Sequence, residues 1–493
     1  MKAKYSLILL PMVALLAACS DFLNIRTEAT MPSAGLDYSK PENIFLPVSA
    51  AYASMRLGES EALNYMALLE IPSDDADKGS SPDDGPAVAE FDNFTYGPEN
   101  ENIGYVWGIF YRMVSAANYA VESMDKFQEA ITSDDGLRQV AECRAEARLI
   151  RAFAYFNLVR LFGSVPLIDR SMDSGALASM PVSSVPDLYK FIYDDLDAAI
   201  ATLPDSYTGM PGRYTCYTAR ALKAKVALYN RDWNEAASQA DAIMASGRFS
   251  LMSRFRDAFS VEHENGSESL MEIQSSDMGQ TSGAMPICYY AFIQGPRNNP
   301  EPFQGWGYKV PSQKLISFLD GRGDAIRKGT TLLVRGTSTP EGDVVGENCA
   351  NPYYNGKVYV PTRNNNRSFN AYGLDHNMRL IRYADVLLIF AEAMANGASV
   401  APASGYSAAD ALNEVRARAG LPAVAATLPN IYDERRAELA LEENRFFDLV
   451  RWGKAAEVLG PLGFTAGKNE VFPIPSSQRQ LNPNLPATPG YTY

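Results

Sequence analysis

Apolar residues along this chain recur mainly at steps of three and four. Between Asp135 and Phe162, Ala145, Leu149, Ala152, Phe156 and Val159 fall on one side of a helix, which Gly163 and Pro166 then stop. The run from Ile103 to Phe127 carries its own stripe (Val106, Phe110, Met113, Ala117, Val121, Met124), and a short polar turn joins the two. They predict an antiparallel hairpin. A second hairpin is clearer between Thr218 and Leu251, with Ala221, Ala224 and Leu228 on one helix, Ala236, Ala240 and Ile243 on the next, and Asn230-Arg231-Asp232 between. Small inward residues let two helices approach closely, and the 34-residue length is the tetratricopeptide period. Val185 to Leu203, Met378 to Ala395, Ser407 to Ala419 and Tyr432 to Leu459 also read as helices. The expected fold class is all-α, built from tetratricopeptide-like hairpins.

Three inserts interrupt this pattern: Pro72 to Asn102, Gly266 to Pro311 and Thr330 to His376, all rich in Gly, Pro, Asn, Asp and aromatic residues. Loops of this length inside a compact domain are functional or disordered, and their tyrosines, phenylalanines and prolines favour packed, ordered excursions. A helical scaffold carrying large aromatic loops suits the display of a binding surface.

The N-terminus changes the picture of where this happens. Lys2 and Lys4 precede an apolar run from Leu7 to Leu16, followed by Leu16-Ala17-Ala18-Cys19. That is a secretory signal ending in small residues, too short to span a bilayer. Cys19 at its end resembles a bacterial lipobox, in which the thiol is acylated and becomes the mature N-terminus, so residues 1–18 are expected to be removed. Several acyl chains hold a protein firmly to a membrane. No later stretch reaches 18 consecutive apolar residues. The net charge is −14, or about −16 without Lys2 and Lys4, which repels phosphate backbones and argues against nucleic acid as a partner. Cys143, Cys216, Cys288 and Cys349 form no C-x-x-C pair, against a zinc ribbon or redox motif, and their spacing leaves disulfide pairing open.

Several ordered motifs resemble one family. Arg382-Tyr383-Ala384-Asp385 running into Ala391-Glu392-Ala393, then Ala411-Leu412-Asn413 with Val415-Arg416-Ala417-Arg418-Ala419-Gly420-Leu421, then Glu434-Arg435-Arg436 through Arg445-Phe446-Phe447-Asp448-Leu449-Val450-Arg451-Trp452, are similar to the SusD/RagB outer-membrane lipoproteins of Bacteroidetes. Cys19-Ser20-Asp21-Phe22-Leu23, Arg151-Ala152-Phe153-Ala154-Tyr155-Phe156 before Gly163-Ser164-Val165-Pro166-Leu167, and Gly305-Trp306-Gly307 before Pro311-Ser312 stand in the same order. Asn444 departs from the Gly more usual there. The resemblance implies a cell-surface lipoprotein with about four tetratricopeptide-type hairpins and an irregular ligand-binding half. It further implies a non-enzymatic role: binding oligosaccharides, or in some members peptides, and passing them to a SusC-like TonB-dependent transporter. The expected organisation is a signal at 1–18 and one domain at 19–493, comprising an N-terminal half (19–265), a loop-rich insert (266–376) and a C-terminal helical signature (377–493). A secreted glycan hydrolase is the remaining alternative.

The stretch Asp433 to Arg451 offers paired carboxylates, Glu438 and Glu442, that could serve as general acid and base. With Arg445, Asp448 and Arg451 they step along one helix face, where opposite charges pair with each other and lock the helix against its neighbours instead. Asp74, Asp75, Asp77, Asp83 and Asp84 could hold calcium, yet their order departs from the EF-hand loop and a solvated acidic loop lining the cleft is the simpler reading; otherwise no cofactor is expected. His263 and His376 lack metal-ligand spacing, and no G-x-S-x-G elbow occurs.

Aromatic residues are the positive chemistry. A sugar's C–H face lies against an aromatic ring while its hydroxyls need planar donors and acceptors at the ring edge. Tyr96, Tyr105 and Trp107 in the first region and Tyr289, Tyr290, Phe292 and Trp306 in the second stand near Asn100, Asn102, Arg297, Asn298 and Asn299. From these, Trp306, Tyr290, Tyr289, Phe292, Tyr96, Asn298, Asn299 and Asp74 are the ligand-binding candidates. Trp107, on the Val106/Phe110 stripe, reads as structural, and Trp306, between two glycines, reads equally as a packing residue. The Arg363 to Arg367 tract beside Tyr372 is a further polar candidate.

Overall fold

The computed structural model describes residues 35–57, 59–275, 289–300, 302–364 and 376–493. The expected signal segment and Cys19 lie outside them. Helices dominate: α1 (Leu46–Met55), α2 (Glu59–Leu69), α3 (Glu101–Ala130), α4 (Asp134–Phe162), α5 (Val185–Thr202), α6 (Cys216–Tyr229) and α7 (Trp233–Ala245), then α8 (Tyr383–Ala395), α9 (Ala408–Arg418), α10 (Leu428–Leu439) and α11 (Arg445–Arg451). Consecutive members pack as the hairpin pattern requires, α3 on α4, α4 on α5, α6 on α7 and α8 on α9, while α7 against α8 joins the N- and C-terminal halves. Polar caps start them. Asn100 and Ser133 accept from backbone N–H groups at the heads of α3 and α4, and Thr215 with Thr218 and Ser407 with Asp410 form capping boxes on α6 and α9. Ala221, Ala224, Leu228, Ala236, Ala240 and Ile243 are all fully buried, so the close face of the second hairpin is the one read from the sequence.

Two expected helices differ. Met378–Arg382 is a strand, pairing antiparallel with Ser269–Ile273; the helix begins only at Tyr383, after an extended Arg382. Four of its five residues are buried, on both faces of the strand, and such a run carries no alternation to distinguish it from a buried helix. The stretch Tyr432 to Leu459 is not continuous either. It breaks between α10 and α11, where Leu441 and Glu443 take left-handed backbone conformations (φ 64° and 56°).

The inserts pack as a second layer containing three two-stranded antiparallel sheets. β1 (Ala76–Gly79) and β2 (Ser269–Ile273) are followed by β3 (Tyr308–Pro311), β4 (Leu332–Val334), β5 (Tyr353–Asn355) and β6 (Met378–Arg382), paired β1 with β3, β2 with β6 and β4 with β5. In the first, Gly79 stands opposite Tyr308 and Ala76 opposite Pro311. A small core of Phe303, Val310, Leu333, Val345, Tyr354 and Tyr359 fills the layer.

Buried ion pairs rivet the two layers. Arg382 donates to Glu438 at 3.0 Å and to Glu442 at 2.8 Å, Lys357 donates to Glu442 at 2.6 Å, and Arg327 reaches Glu438 at 3.2 Å. Burial alone would raise the Glu438 carboxyl, but the charges of Arg418, Arg382 and Arg327 outweigh it and hold the group well below its ordinary value. The charged pattern at 433–451 therefore serves packing, with partners mostly on other elements instead of along one helix face. Cys143, Cys216 and Cys349 are buried free thiols.

Candidate functional site

The three inserts converge on the turn that carries Trp306. Its indole is half-buried and meets the buried ring of Phe292 edge-on, with centroids 5.9 Å apart. The flanking glycines are required by close approach: a Cβ on Gly305 would lie 2.5 Å from the Cα of Gly295, and one on Gly307, whose φ is +74°, 2.9 Å from the Cβ of Arg297. Backbone bonds hold the turn on three sides, Gly305 N–H to Pro296 O (3.0 Å), Tyr308 N–H to Ile293 O (3.0 Å), and Ser80 N–H to Gly307 O.

Polar groups gather beside it. Arg297 Nη1 lies 2.7 Å from Asp84 Oδ2 and donates to Ser80 Oγ at 3.2 Å, and the Ser80 hydroxyl donates to the same Asp84 oxygen at 2.8 Å. The Ser80 hydroxyl, with help from the charge of Arg297, holds the Asp84 carboxyl below its ordinary value. Asn351 donates to Ser80 O at 3.2 Å, and Asn298 is exposed in the left-handed region with φ 64°. An indole edge, a guanidinium, a carboxylate and two carboxamides thus lie on one part of the insert layer, with Asp84 and Asn351 brought from distant segments to the 297–306 stretch.

Of the sequence candidates, Trp306, Asn298 and the half-buried Tyr289 fit such a surface. The others point inward. Tyr96 is 1% exposed, stacked on Phe91 with centroids 4.9 Å apart. Phe292 is equally enclosed, and Tyr290 is 5% exposed, its hydroxyl taking a hydrogen bond from Lys309 Nζ at 2.6 Å and donating to Glu443. Asn299 braces the loop from within, accepting from Gly346 N–H at 2.8 Å and donating to Val344 O at 3.2 Å. Trp107 packs edge-on against Phe162, as its place on the stripe indicated, whereas Tyr105 is exposed.

The acidic stretch is dispersed. Asp74 accepts from Arg445 Nε at 2.7 Å and pairs with Arg436 at 2.8 Å, and Asp75 pairs with Arg436 at 2.7 Å, all in the interior. Asp77 and Asp83 are exposed, and Asp84 faces Arg297. Among the described residues no group of three or more acidic, His or Cys side chains is placed to hold a metal ion. Arg363 pairs at the surface with Glu262 at 3.3 Å; residues 365–375, including Tyr372, lie outside the described residues.

Sequence reading placed Asp84 in the acidic loop but missed its partners Ser80 and Asn351 and, behind them, Lys309 and Glu443. It also missed a cavity of 470 Å³ between Phe45, Tyr52, Met210, Arg213 and Gln274, where Arg213 stacks on Phe45 and Tyr207 and pairs with buried Glu146.

Two family models match the chain. One, described as the SusD family, covers residues 327–463; the other, described as "Starch-binding associating with outer membrane", covers residues 49–228. The chain belongs to the SusD family. SusD-like protein P2 of Formosa agariphila is 29% identical over 99% of this chain and 100% of its own length, and a SusD-like protein of Bacteroides ovatus is 26% identical over 92% and 83%. Among solved structures, a laminarin binding SusD-like protein superposes with a TM-score of 0.78 at 28% identity, covering 91% of this chain and 99% of that one. Surface glycan-binding protein A from Bacteroides fluxus has the same fold, with a TM-score of 0.78 at 24% identity over 92% and 100%. As a SusD-family member the chain carries its ion-paired motif residues Arg382, Glu434, Arg435, Arg445, Asp448 and Arg451 in the interior, as framework.

Proposed function

We propose that this SusD-family protein is a non-enzymatic, cell-surface lipoprotein that captures oligosaccharides and delivers them to a SusC-like TonB-dependent transporter. Cys19 would carry the lipid anchor, and the Trp306 turn with Tyr289, Asn298, Arg297 and Asp84 would contact the sugar. The observation that carries this reading is the half-buried Trp306 indole, fixed between two glycines beside a guanidinium and carboxamides, on the fold of a laminarin binding relative. An indole face supplies the apolar platform for a sugar ring, and the neighbouring planar polar groups match its hydroxyls. The buried pairing of Glu438 and Glu442 with arginine and lysine supports a binding role over hydrolysis, since neither carboxyl is placed to take up or release a proton at neutral pH.

Calorimetric titration with laminarihexaose, a fragment of laminarin, tests the reading. Trp306→Ala should weaken binding by about 1–3 kcal/mol, the range for a ring stacked on an aromatic side chain, with the fold intact by circular dichroism. Affinity should change little with salt, because a neutral glycan releases no counterions. Undiminished binding by the folded variant removes Trp306 from the site. Cleavage products in the same mixture would point instead to a hydrolase.

A further inference from the structure

Directly behind the Trp306 turn lies a buried cluster with no part in the surface just described. The Lys309 side chain is fully buried, and its ammonium donates to Tyr290 OH at 2.6 Å, to Glu443 Oε1 at 2.5 Å and to Leu441 O at 3.1 Å. All three donor positions of the ammonium are thereby used. Three non-glycine residues meeting there have left-handed backbones: Lys309 (φ 51°), Leu441 (φ 64°) and Glu443 (φ 56°). Such residues are strained and persist only where the surroundings dictate it. The strain is confined to one joint, where β3 of the insert layer meets the break between α10 and α11 of the helical scaffold.

We infer that Lys309 is a positioning residue for the Trp306 turn: its ammonium, clamped by Tyr290, Leu441 and Glu443, fixes the strained backbone three residues beyond Trp306 and so sets the orientation of the indole. The inference rests on the reading that this turn contacts glycan. Lys309 itself touches no ligand; it acts through Gly307 and Tyr308, whose backbone groups are tied to Ser80 and Ile293.

The joint also has a built-in control. Glu70, at the end of α2, is fully buried; its Oε2 accepts from Glu443 N–H, and its Oε1 has no hydrogen-bond partner. The other carboxylates nearby have cations of their own, Glu443 in Lys309, Asp74 in Arg445 and Arg436, and Asp75 in Arg436. Glu70 has none. Burial raises its carboxyl to about 8, with the charges of Glu443 and Asp75 adding to the rise and that of Lys309 opposing it. Tyr65, from the same helix, and Tyr290 also face the joint; burial and the Glu443 charge keep both phenols protonated through that range. Ionisation of Glu70 therefore sets a second carboxylate competing for the Lys309 ammonium.

The test reads Trp306 itself, as the difference in acrylamide quenching between each protein and its Trp306→Phe counterpart. Lys309→Met combined with Glu443→Gln removes the clamp without leaving a lone buried charge, and should raise the quenching of Trp306 and weaken laminarihexaose binding about tenfold. In the parent, quenching should rise between about pH 7 and about pH 9.5, and Glu70→Gln should abolish that rise. Unchanged quenching in the folded double variant overturns the inference. If the double variant does not fold, the parent's pH profile decides, and a flat profile overturns it. A parent that fails to bind laminarihexaose while its Trp306 responds as described removes this glycan as the ligand and leaves the positioning role standing.

Discussion

Arg435 and Asp385 are paired inside the core, with the Arg435 side chain wholly buried and that of Asp385 nearly so. Lys225 donates to the other Asp385 oxygen at 3.0 Å, and Arg435 Nε donates to Asp448 at 2.7 Å, so α6, α8, α10 and α11 each bring one charge to a four-membered network. Removing one partner of such a pair leaves an uncompensated buried ion. Arg435→Met should therefore cost about 3–5 kcal/mol in denaturant unfolding. Burial alone would raise the Asp385 carboxyl, but the Arg435 and Lys225 charges hold it well below its ordinary value of 3.8. The contribution of the pair is thus fully present above about pH 4 and is lost as pH falls below it. The stability difference between parent and variant should stay level from about pH 5 to 7 and shrink on acidification. A difference that widens in acid would contradict the pairing.

The helical half was legible because its stripes are long and each helix buries one face, so period and outcome coincide. Met378–Arg382 was not, since a strand buried on both sides reads like a buried helix until its partner at 269–273 is known. That several of the aromatic and acidic candidates turn inward has a different reason. Sequence shows that Tyr96 and Tyr290 stand in aromatic inserts, but not which way a ring turns, and that is decided by residues far along the chain. The Tyr290 hydroxyl meets Glu443, 153 positions away, and Asp74 meets Arg445, 371 positions away. The constraint on the Trp306 turn is local by contrast, a glycine on either side, and so shows in the sequence.

The close contact between α6 and α7 gives a second expectation. Ala240 is fully buried against α6, and a larger side chain there must push the helices apart. Ala240→Phe should cost about 1–3 kcal/mol, seen as a lowered Tm. Ala245→Phe, at the exposed end of the same helix, is the matched control and should cost little. Gln239 would serve poorly, because it is half-buried and bonded to Arg220 and Glu235. Equal melting temperatures for the two variants would displace the contact from Ala240.

Membrane attachment depends on one thiol in the proposed reading. Among the described residues no helix is long and apolar enough to cross a membrane. Cys19→Ala should therefore release folded protein from the membrane fraction in cells lacking the transporter, where the lipid is the expected anchor. Retention after high-salt washing would show that something other than acylated Cys19 holds the protein.

Glu70 sets the response to alkali. Its folded carboxyl is raised from an ordinary 4.5 to about 8, so the folded state binds this proton more tightly than the unfolded chain does. For a group shifted in that direction, stability is fully present below about pH 4.5, declines as pH rises, and levels off once the folded group has also ionised, above about pH 8. Gln at this position keeps the oxygen that accepts from Glu443 N–H and never ionises. Glu70→Gln should therefore match the parent near pH 4.5 and exceed it progressively toward pH 8, by on the order of 5 kcal/mol, with the gap constant beyond. Urea unfolding of both proteins at several pH values across that range measures the gap directly. Parallel stability curves would mean that Glu70 is ionised in the folded protein, with a cation near enough to Oε1 to hold it so.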